Sequence, residues 1–118
     1  MTAPRDHGVY CKDILRAVAS IAQYTSGITL EQFKADAKTQ DAVVRNLEII
    51  GEAVKRIPEG IRNANPRVMW GPAAAMRDFL IHDYPEVDVE AVWNTVVNDL
   101  PTFKKGIMQM LEEGSTQV

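Results

Sequence analysis

The sequence lacks the features that mark secreted, membrane and redox proteins. Cys11 is the only cysteine among 118 residues, so the chain can form no internal disulfide. No apolar run approaches the roughly 18 residues that cross a bilayer, and the opening residues lack the apolar core of a signal peptide. We therefore expect a cytoplasmic protein without a membrane segment.

The sequence also lacks CxxC, HExxH, GxGxxG and Walker-type motifs, which bind metals or nucleotide phosphates. We therefore expect neither a metal nor another cofactor. Thirteen basic residues against sixteen acidic ones give a net charge of -3, and a field of that sign repels nucleic acid. Any contact with RNA or DNA must therefore come from a local patch.

What is present is the composition of an ordinary folded protein. Apolar residues make up 46% and charged residues 25% of the chain, and 118 residues predict a single domain over 1–118. Strand signals are absent, whereas apolar residues recur at helical spacing in almost every window. The sequence thus predicts an all-α protein.

Caps, breakers and apolar periodicity predict where the helices lie: about 6–25, a short one from Thr29 to about Asp36, 41–57, 72–83, and 88 to Gly114. Four of them are long and their connections are short, which favours an up-and-down four-helix bundle. The connector 58–71 is rich in turn formers, and we expect Met69 and Trp70 to pin it to the core. Pro101 is expected to kink the last helix.

The predicted helix 72–83 separates on a helical wheel into an apolar side and a polar side. The polar side gathers side chains that can bind phosphate or transfer protons: Arg77, Asp78, His82 and, at its end, Tyr84. Asp78 and His82 are four residues apart, so the carboxylate can hydrogen-bond to the imidazole and hold its orientation. On the preceding long helix, Glu52 either orients Arg77 or stays solvated.

Arg77, His82 and Tyr84 form the pattern R-x4-H-x-Y, which on a helix of an all-α chain resembles the HEPN superfamily of ribonucleases. Together with the segments 45–53, 76–84 and 92–93, it is similar to the HepT branch, the toxin half of a HepT/MntA-type toxin–antitoxin pair. The resemblance implies an endoribonuclease with Arg77 and His82 as catalytic residues. It also implies that Tyr84 accepts AMP from a partner nucleotidyltransferase, the MntA-like antitoxin. Asp78 stands where an asparagine often follows the arginine in relatives.

These residue types suit RNA cleavage without a metal. The reaction uses the 2′-hydroxyl of the RNA as nucleophile, histidine can move the protons, and an arginine fork can hold two phosphate oxygens. One histidine and one arginine make half of such a site. We therefore expect a homodimer, possibly assembling further, in which two copies of the helix meet across a two-fold axis and small Ala74 lets them approach.

Other interpretations of the same residues stay open at this point. Arg77 and His82 can belong to a surface ion-pair cluster with Asp78, and Tyr84 can be a packed ring with a hydrated hydroxyl. The whole chain can be a non-catalytic helical module that binds a nucleotidyltransferase or a nucleotide. The charged face of the helix 41–57, which carries Arg45, Glu48 and Glu52, can simply be solvated.

Overall fold

The computed structural model describes residues 6–77 and 88–116, and within these ranges the regular structure is entirely helical. The helices are α1 (His7–Thr25), α2 (Leu30–Lys34), α3 (Ala37–Arg56), α4 (Glu59–Ala64), α5 (Trp70–Ala75), α6 (Val89–Asn94), a π-helical turn (Thr95–Asp99) and α7 (Leu100–Thr116). The all-α prediction is confirmed. No helix in the described ranges has both the length and the apolarity that a membrane span requires.

Side chains that cap the first turn decide where several helices begin. Thr29 and Gln32 form a capping box, with the Thr29 amide donating to Gln32 Oε1 at 2.8 Å and the Gln32 amide donating to Thr29 Oγ1 at 3.2 Å. Asp36 accepts hydrogen bonds from the amide and the hydroxyl of Thr39, and these bonds lower the pKa of the Asp36 carboxyl. Because of this cap α3 starts at Ala37, so the predicted start near Asp41 is wrong by one turn.

The connector 58–71 is more regular than predicted, because α4 occupies its first half. Trp70 holds the connector in place: its indole Nε1 donates to the carbonyl oxygens of Arg62 and Asn65, each at 3.0 Å. Its ring meets Phe103 edge-on, with the centroids 6.4 Å apart. Met69 does not share this role, since it is 52% exposed. The prediction of a core anchor is confirmed for Trp70 and wrong for Met69.

Helix α5 begins at Trp70, two residues before the predicted start at Pro72. Proline fits there because the amides of the first turn have no partner within the helix. The α-helical pattern ends at Ala75, and Met76 and Arg77 form a turn, so the predicted helix 72–83 is wrong for these two residues. The rest of the predicted helix 72–83 lies outside the described residues.

The segment after residue 87 begins as predicted, with Asp88 accepting a hydrogen bond from the Ala91 amide. The irregularity expected at Pro101 takes the form of the π turn directly before it, in which the Leu100 amide donates to the Thr95 carbonyl. A proline has no amide hydrogen to donate, and its ring crowds the preceding turn of the helix. The wider π turn before Pro101 leaves more room for that ring. Helix α7 continues through Gly114 to Thr116, so the predicted end at Gly114 is wrong.

Helix α3 is central, since it packs against α1, α2 and α5, while α1 also contacts α7, and α2 contacts α6. No polar or charged side chain is buried among the described residues, and the core is apolar. Its largest fully buried side chains are Phe33, Phe103, Ile14, Ile21, Leu47, Ile50, Ile57 and Ile107. Burying each of these is worth roughly 1.5 to 3 kcal/mol before the cost of ordering. One face of α3 is thereby fixed in the core, and the opposite face is turned outward.

Candidate active site

Arg77 lies in the turn that follows α5 and forms an ion pair with Glu52 of α3. Its Nη1 atom donates to Glu52 Oε1 at 2.8 Å. The side chain of Arg77 is 28% exposed and that of Glu52 is 44% exposed, so the pair is partly shielded from water and still reachable from outside. The structure thus favours the interpretation in which Glu52 orients Arg77 over the one in which it stays solvated.

Gly51 explains how Arg77 comes so close to α3. A Cβ atom at this position would lie 2.8 Å from the Arg77 amide nitrogen, 2.9 Å from Arg77 Cβ and 3.0 Å from the Ala74 carbonyl oxygen. Cβ atoms essentially never lie within 3.0 Å of such atoms, as the first two would, and the third contact is also tight; two of the three contacts are with rigid backbone. The glycine therefore sets the contact between the two helices that places Arg77 above Glu52.

The sequence interpretation missed Gly51, although a signal was present. Glycine in a helix interior costs about 1 kcal/mol relative to alanine, and Gly51 lies more than one turn from either end of the 20-residue helix α3. A glycine tolerated there indicates that another segment of backbone approaches, and that segment begins with Ala74.

Among the described residues, Glu52 is the hydrogen-bond partner of the Arg77 guanidinium through one N–H group. Glu52 accepts one hydrogen bond, whereas a guanidinium carries five N–H groups. The Nε atom is buried and has no hydrogen-bond partner among the described residues. An arginine held by one carboxylate, with other donors left over, can bind an anion such as a phosphate while keeping its orientation.

The remaining predicted site residues, Asp78, His82 and Tyr84, lie outside the described residues. Of the predicted site residues, the structure therefore describes Arg77 and Glu52, and it brings them together from positions 25 residues apart. The joint action of Arg77 and His82, and the role of Tyr84, stay predictions from the sequence.

A shallow groove of about 240 Å³ borders Glu52 between α1 and α3. Tyr10 and Asp13 line it from α1, and the α3 side is formed by Arg45, Glu48, Ile49, Glu52, Ala53 and Arg56. Arg45 Nη1 lies 3.4 Å from Glu48 Oε2. The charged face noted in the sequence is therefore one wall of a groove next to the Arg77–Glu52 pair.

Cys11 does not contribute to this site. Its side chain is fully buried in the core, and burial, together with the nearby Asp6 carboxylate, raises the pKa of the thiol to about 11. Since the thiolate is the nucleophilic form of cysteine, the residue is inert at neutral pH and serves as a small core side chain.

Comparison with known proteins gives a consistent family. A protein-family model described as Ribonuclease HepT-like matches residues 14–110, a range that includes Glu52, Arg77, His82 and Tyr84. A probable ribonuclease HepT from Thermococcus cleftensis is 47% identical over 100 residues, covering 85% of this chain and 91% of the relative.

Two further relatives are described as putative RNases. One, from Methanocaldococcus jannaschii, is 39% identical over a stretch that covers 92% of this chain and 90% of the relative's chain. The other, from Caldanaerobacter subterraneus subsp. tengcongensis, is 36% identical over a stretch that covers 96% of this chain and 98% of the relative's chain. No solved structure matches the chain. The resemblance drawn from R-x4-H-x-Y is confirmed: the chain belongs to the HepT-like ribonuclease family of the HEPN superfamily.

Proposed function

We propose that this protein is a metal-independent endoribonuclease that acts as the toxin of a toxin–antitoxin pair. The observation that carries the proposal is the Arg77–Glu52 pair, in which the carboxylate orients a partly exposed arginine. The chain has only two histidines, and His82 is one of them. Relatives named as ribonucleases along most of the chain support it.

Each side chain has a role in the proposed reaction. His82 takes the proton from the RNA 2′-hydroxyl or gives one to the leaving 5′-oxygen, since a histidine can do either near neutral pH. Arg77 stabilises the charge that develops on the phosphate, and Glu52 holds the guanidinium in position for it. Asp78, four residues before His82 in the sequence, supports it through a hydrogen bond. No step in this scheme needs a metal ion.

A single chain provides only one Arg77 and one His82, so we propose that the active form is a homodimer. A two-fold axis near Arg77 and His82 would bring two copies of each residue to one phosphate. We also propose that residues 1–118 form one domain, a four-helix bundle with α1, α3, α5 and α7. The contacts of α1 with α3 and α7, of α3 with α5, and of Trp70 with Phe103 support this arrangement.

Regulation is proposed to act at Tyr84, two residues after His82. A partner nucleotidyltransferase of the MntA type would transfer AMP to the Tyr84 hydroxyl. The added group carries bulk and negative charge, so it would exclude the RNA phosphate from the neighbouring site. Intact-mass measurement of protein purified with and without the partner tests this step: the Tyr84→Phe variant should gain no AMP.

RNA cleavage by the purified protein tests the catalytic proposal. We expect cleavage in the presence of a chelator, products with a cyclic or 3′-phosphate end, and loss of activity in His82→Ala and Arg77→Ala. Replacing the 2′-hydroxyl at the cut position by hydrogen should abolish cleavage there. Full activity of His82→Ala, or unchanged cutting of the deoxy-substituted RNA, would refute the mechanism.

A growth assay separates the toxin from a non-catalytic binding module. Expression of the chain alone in a bacterium should stop growth, and the His82→Ala variant should be harmless at the same protein level. If neither protein affects growth and neither cuts RNA, the binding module is the correct interpretation.

A further inference from the structure

A pocket of about 200 Å³ lies between α5 and the start of the last helix, beside the π turn. We call it the π-turn pocket. The residues that line it come from two stretches of the chain: Met69, Pro72, Ala73 and Met76 on one side, and Asn98, Asp99, Thr102 and Phe103 on the other. Its volume is below the roughly 300 to 1,000 Å³ of pockets that hold drug-sized ligands, so it suits a single small ring system.

The apolar residues of the π-turn pocket provide surfaces on which a flat ring can lie. Met76 and Phe103 are almost completely buried and form its base. Met69 is 52% exposed, so it has no place in the core. A methionine side chain is flexible, and its polarizable sulfur makes favourable contacts with aromatic rings. Met69 can therefore cover a planar ring that enters the pocket.

Three polar side chains of the same pocket are available for hydrogen bonds: those of Asn98, Asp99 and Thr102. All three are exposed, and none of these side chains has a hydrogen bond or an ion pair with another described residue. Asn98 and Asp99 belong to the π turn, and π turns inside helices often occur at functional sites. The pocket thus combines an apolar base with unpaired polar groups, which is the usual plan of a ligand site.

The π-turn pocket lies next to Arg77. Met76, which lines the pocket, directly precedes Arg77, so their Cα atoms are about 3.8 Å apart. Ala74 and Arg77 lie against Gly51 of α3, whereas Ala73 and Met76 line the pocket. The pocket and Arg77 therefore lie on neighbouring sides of the same short segment. An RNA strand with a phosphate at Arg77 can place the attached base or the next one in the pocket.

We propose that the π-turn pocket binds a guanine base of the RNA substrate and that Asp99 selects this base. The inference rests on the proposed function, because the ligand is part of the RNA that the enzyme cuts. Proteins recognise an unstacked base of single-stranded RNA by packing on its faces and by hydrogen bonds to its edge. Met69, Met76 and Phe103 provide the packing, and the polar side chains read the edge.

Guanine is the base that matches a carboxylate. Its Watson–Crick edge carries two adjacent donor atoms, N1 and the 2-amino nitrogen, whereas the edges of adenine, cytosine and uracil have no such pair. Asp99 can accept from both donors with its two oxygens, and the Asn98 amide can donate to the guanine O6 atom. A carboxylate beside an RNA strand otherwise repels the phosphates, so the donors of the base give this acidic side chain a favourable partner.

Binding of RNA that cannot be cut tests the pocket separately from catalysis. The probe is a labelled 2′-O-methyl RNA, whose blocked 2′-oxygen cannot act as the nucleophile, with guanine replaced at each position in turn by adenine or inosine. Fluorescence anisotropy measures the dissociation constant. For the wild-type protein, one position should show a loss of affinity of roughly 10- to 100-fold with adenine. Inosine, which differs from guanosine by lacking the 2-amino group, should weaken binding there by roughly tenfold.

Asp99→Asn keeps the size of the side chain and removes one of the two acceptors. The variant should bind guanine and inosine RNA equally, because the group that reads the 2-amino nitrogen is lost. Glu112→Gln makes the same change of charge at an exposed position of α7, and as the matched control it should keep the wild-type preference. Met69→Ala should weaken the binding of guanine and adenine RNA alike, since it removes packing on the ring. All three altered residues are exposed, so thermal unfolding should match that of the wild-type protein.

Cleavage of ordinary RNA gives a second readout. The cuts should fall at a fixed distance from a guanine, and the preference in kcat/KM for guanine over adenine should disappear in Asp99→Asn. If the wild-type protein cuts RNA without a base preference, prefers another base, or keeps its preference in Asp99→Asn, the assignment of the pocket is refuted while the proposed ribonuclease stands. If guanine RNA binds selectively through Asp99 but is never cut, the pocket stands and the proposed ribonuclease fails. Absence of both selective binding and cleavage refutes both.

Discussion

Substituting Gly51 by alanine is the sharpest way to disturb the site from a distance. The new Cβ would meet the Arg77 amide nitrogen at 2.8 Å and the Ala74 carbonyl oxygen at 3.0 Å. Both are backbone atoms, so no side-chain rotation can relieve the contact. The turn carrying Arg77 must move away from α3 by about half an ångström to reach ordinary van der Waals distance.

The expected magnitudes follow from two opposing terms. Overpacking of this kind typically costs about 1 to 3 kcal/mol, while alanine in place of a helical glycine contributes up to about 1 kcal/mol of stability. Gly71, in the first turn of α5, is the matched control because a Cβ there meets nothing within 4 Å. Gly71→Ala should be neutral or stabilising, and Gly51→Ala should be less stable than Gly71→Ala by about 1 to 3 kcal/mol.

Urea unfolding and RNA cleavage check this prediction together. The displacement separates the Arg77 guanidinium from Glu52, and misplacing a positioning group by a fraction of an ångström to one ångström costs on the order of 10- to 100-fold in rate. The rates are compared under conditions in which both variants are fully folded. A Gly51→Ala protein as stable and as active as Gly71→Ala would refute the assignment of Gly51 as the residue that positions Arg77.

Three further changes test other parts of the structure. Glu52→Gln removes the charge that holds Arg77, so we expect kcat for RNA cleavage to fall roughly tenfold. The control variant Glu59→Gln, on α4, should have the kcat of the wild-type protein. Trp70→Phe replaces the indole by a smaller aromatic ring without an N–H, so the hydrogen bonds to the carbonyls of Arg62 and Asn65 are lost. Thermal unfolding should show a loss of stability of at least about 1 to 2 kcal/mol. Because the pKa of Cys11 is about 11 when folded, against the ordinary 9.0, the unfolded thiol ionises first. Stability should therefore be lost as pH rises from about 9 to 11, a fall that Cys11→Ala should lack.

Local chemistry explains why most helix boundaries could be predicted from the sequence. The capping box at Thr29, the cap at Asp88 and the left-handed Gly27, with a φ of 75°, depend on residues only a few positions apart. The start of α3 was less predictable because the first turn after the Asp36 cap has no large apolar side chain, so it adds nothing to the apolar periodicity. Helix α4 was missed because its six residues are too few to show a period.

The site was only partly predictable for a different reason. Arg77 could be selected as a candidate from its own segment, since the motif and the split of polar and apolar residues are local in sequence. Its pairing with Glu52, and the dependence of that pairing on Gly51, join residues about 25 positions apart through a contact between helices. No pattern within one helix specifies such a contact, so the sequence could offer Glu52 only as one of two alternatives.

The π turn at Thr95–Asp99 has a consequence for how the length of this chain can vary. A π turn holds one more residue between hydrogen-bonded partners than an α turn does. Loss of one residue there would leave an ordinary α turn, and Phe103 and Ile107 would keep facing the core. Loss of a residue anywhere within α7 would instead rotate the following side chains by about 100° and expose that face. Related chains one residue shorter should therefore carry their deletion in this turn and retain the buried face of the last helix.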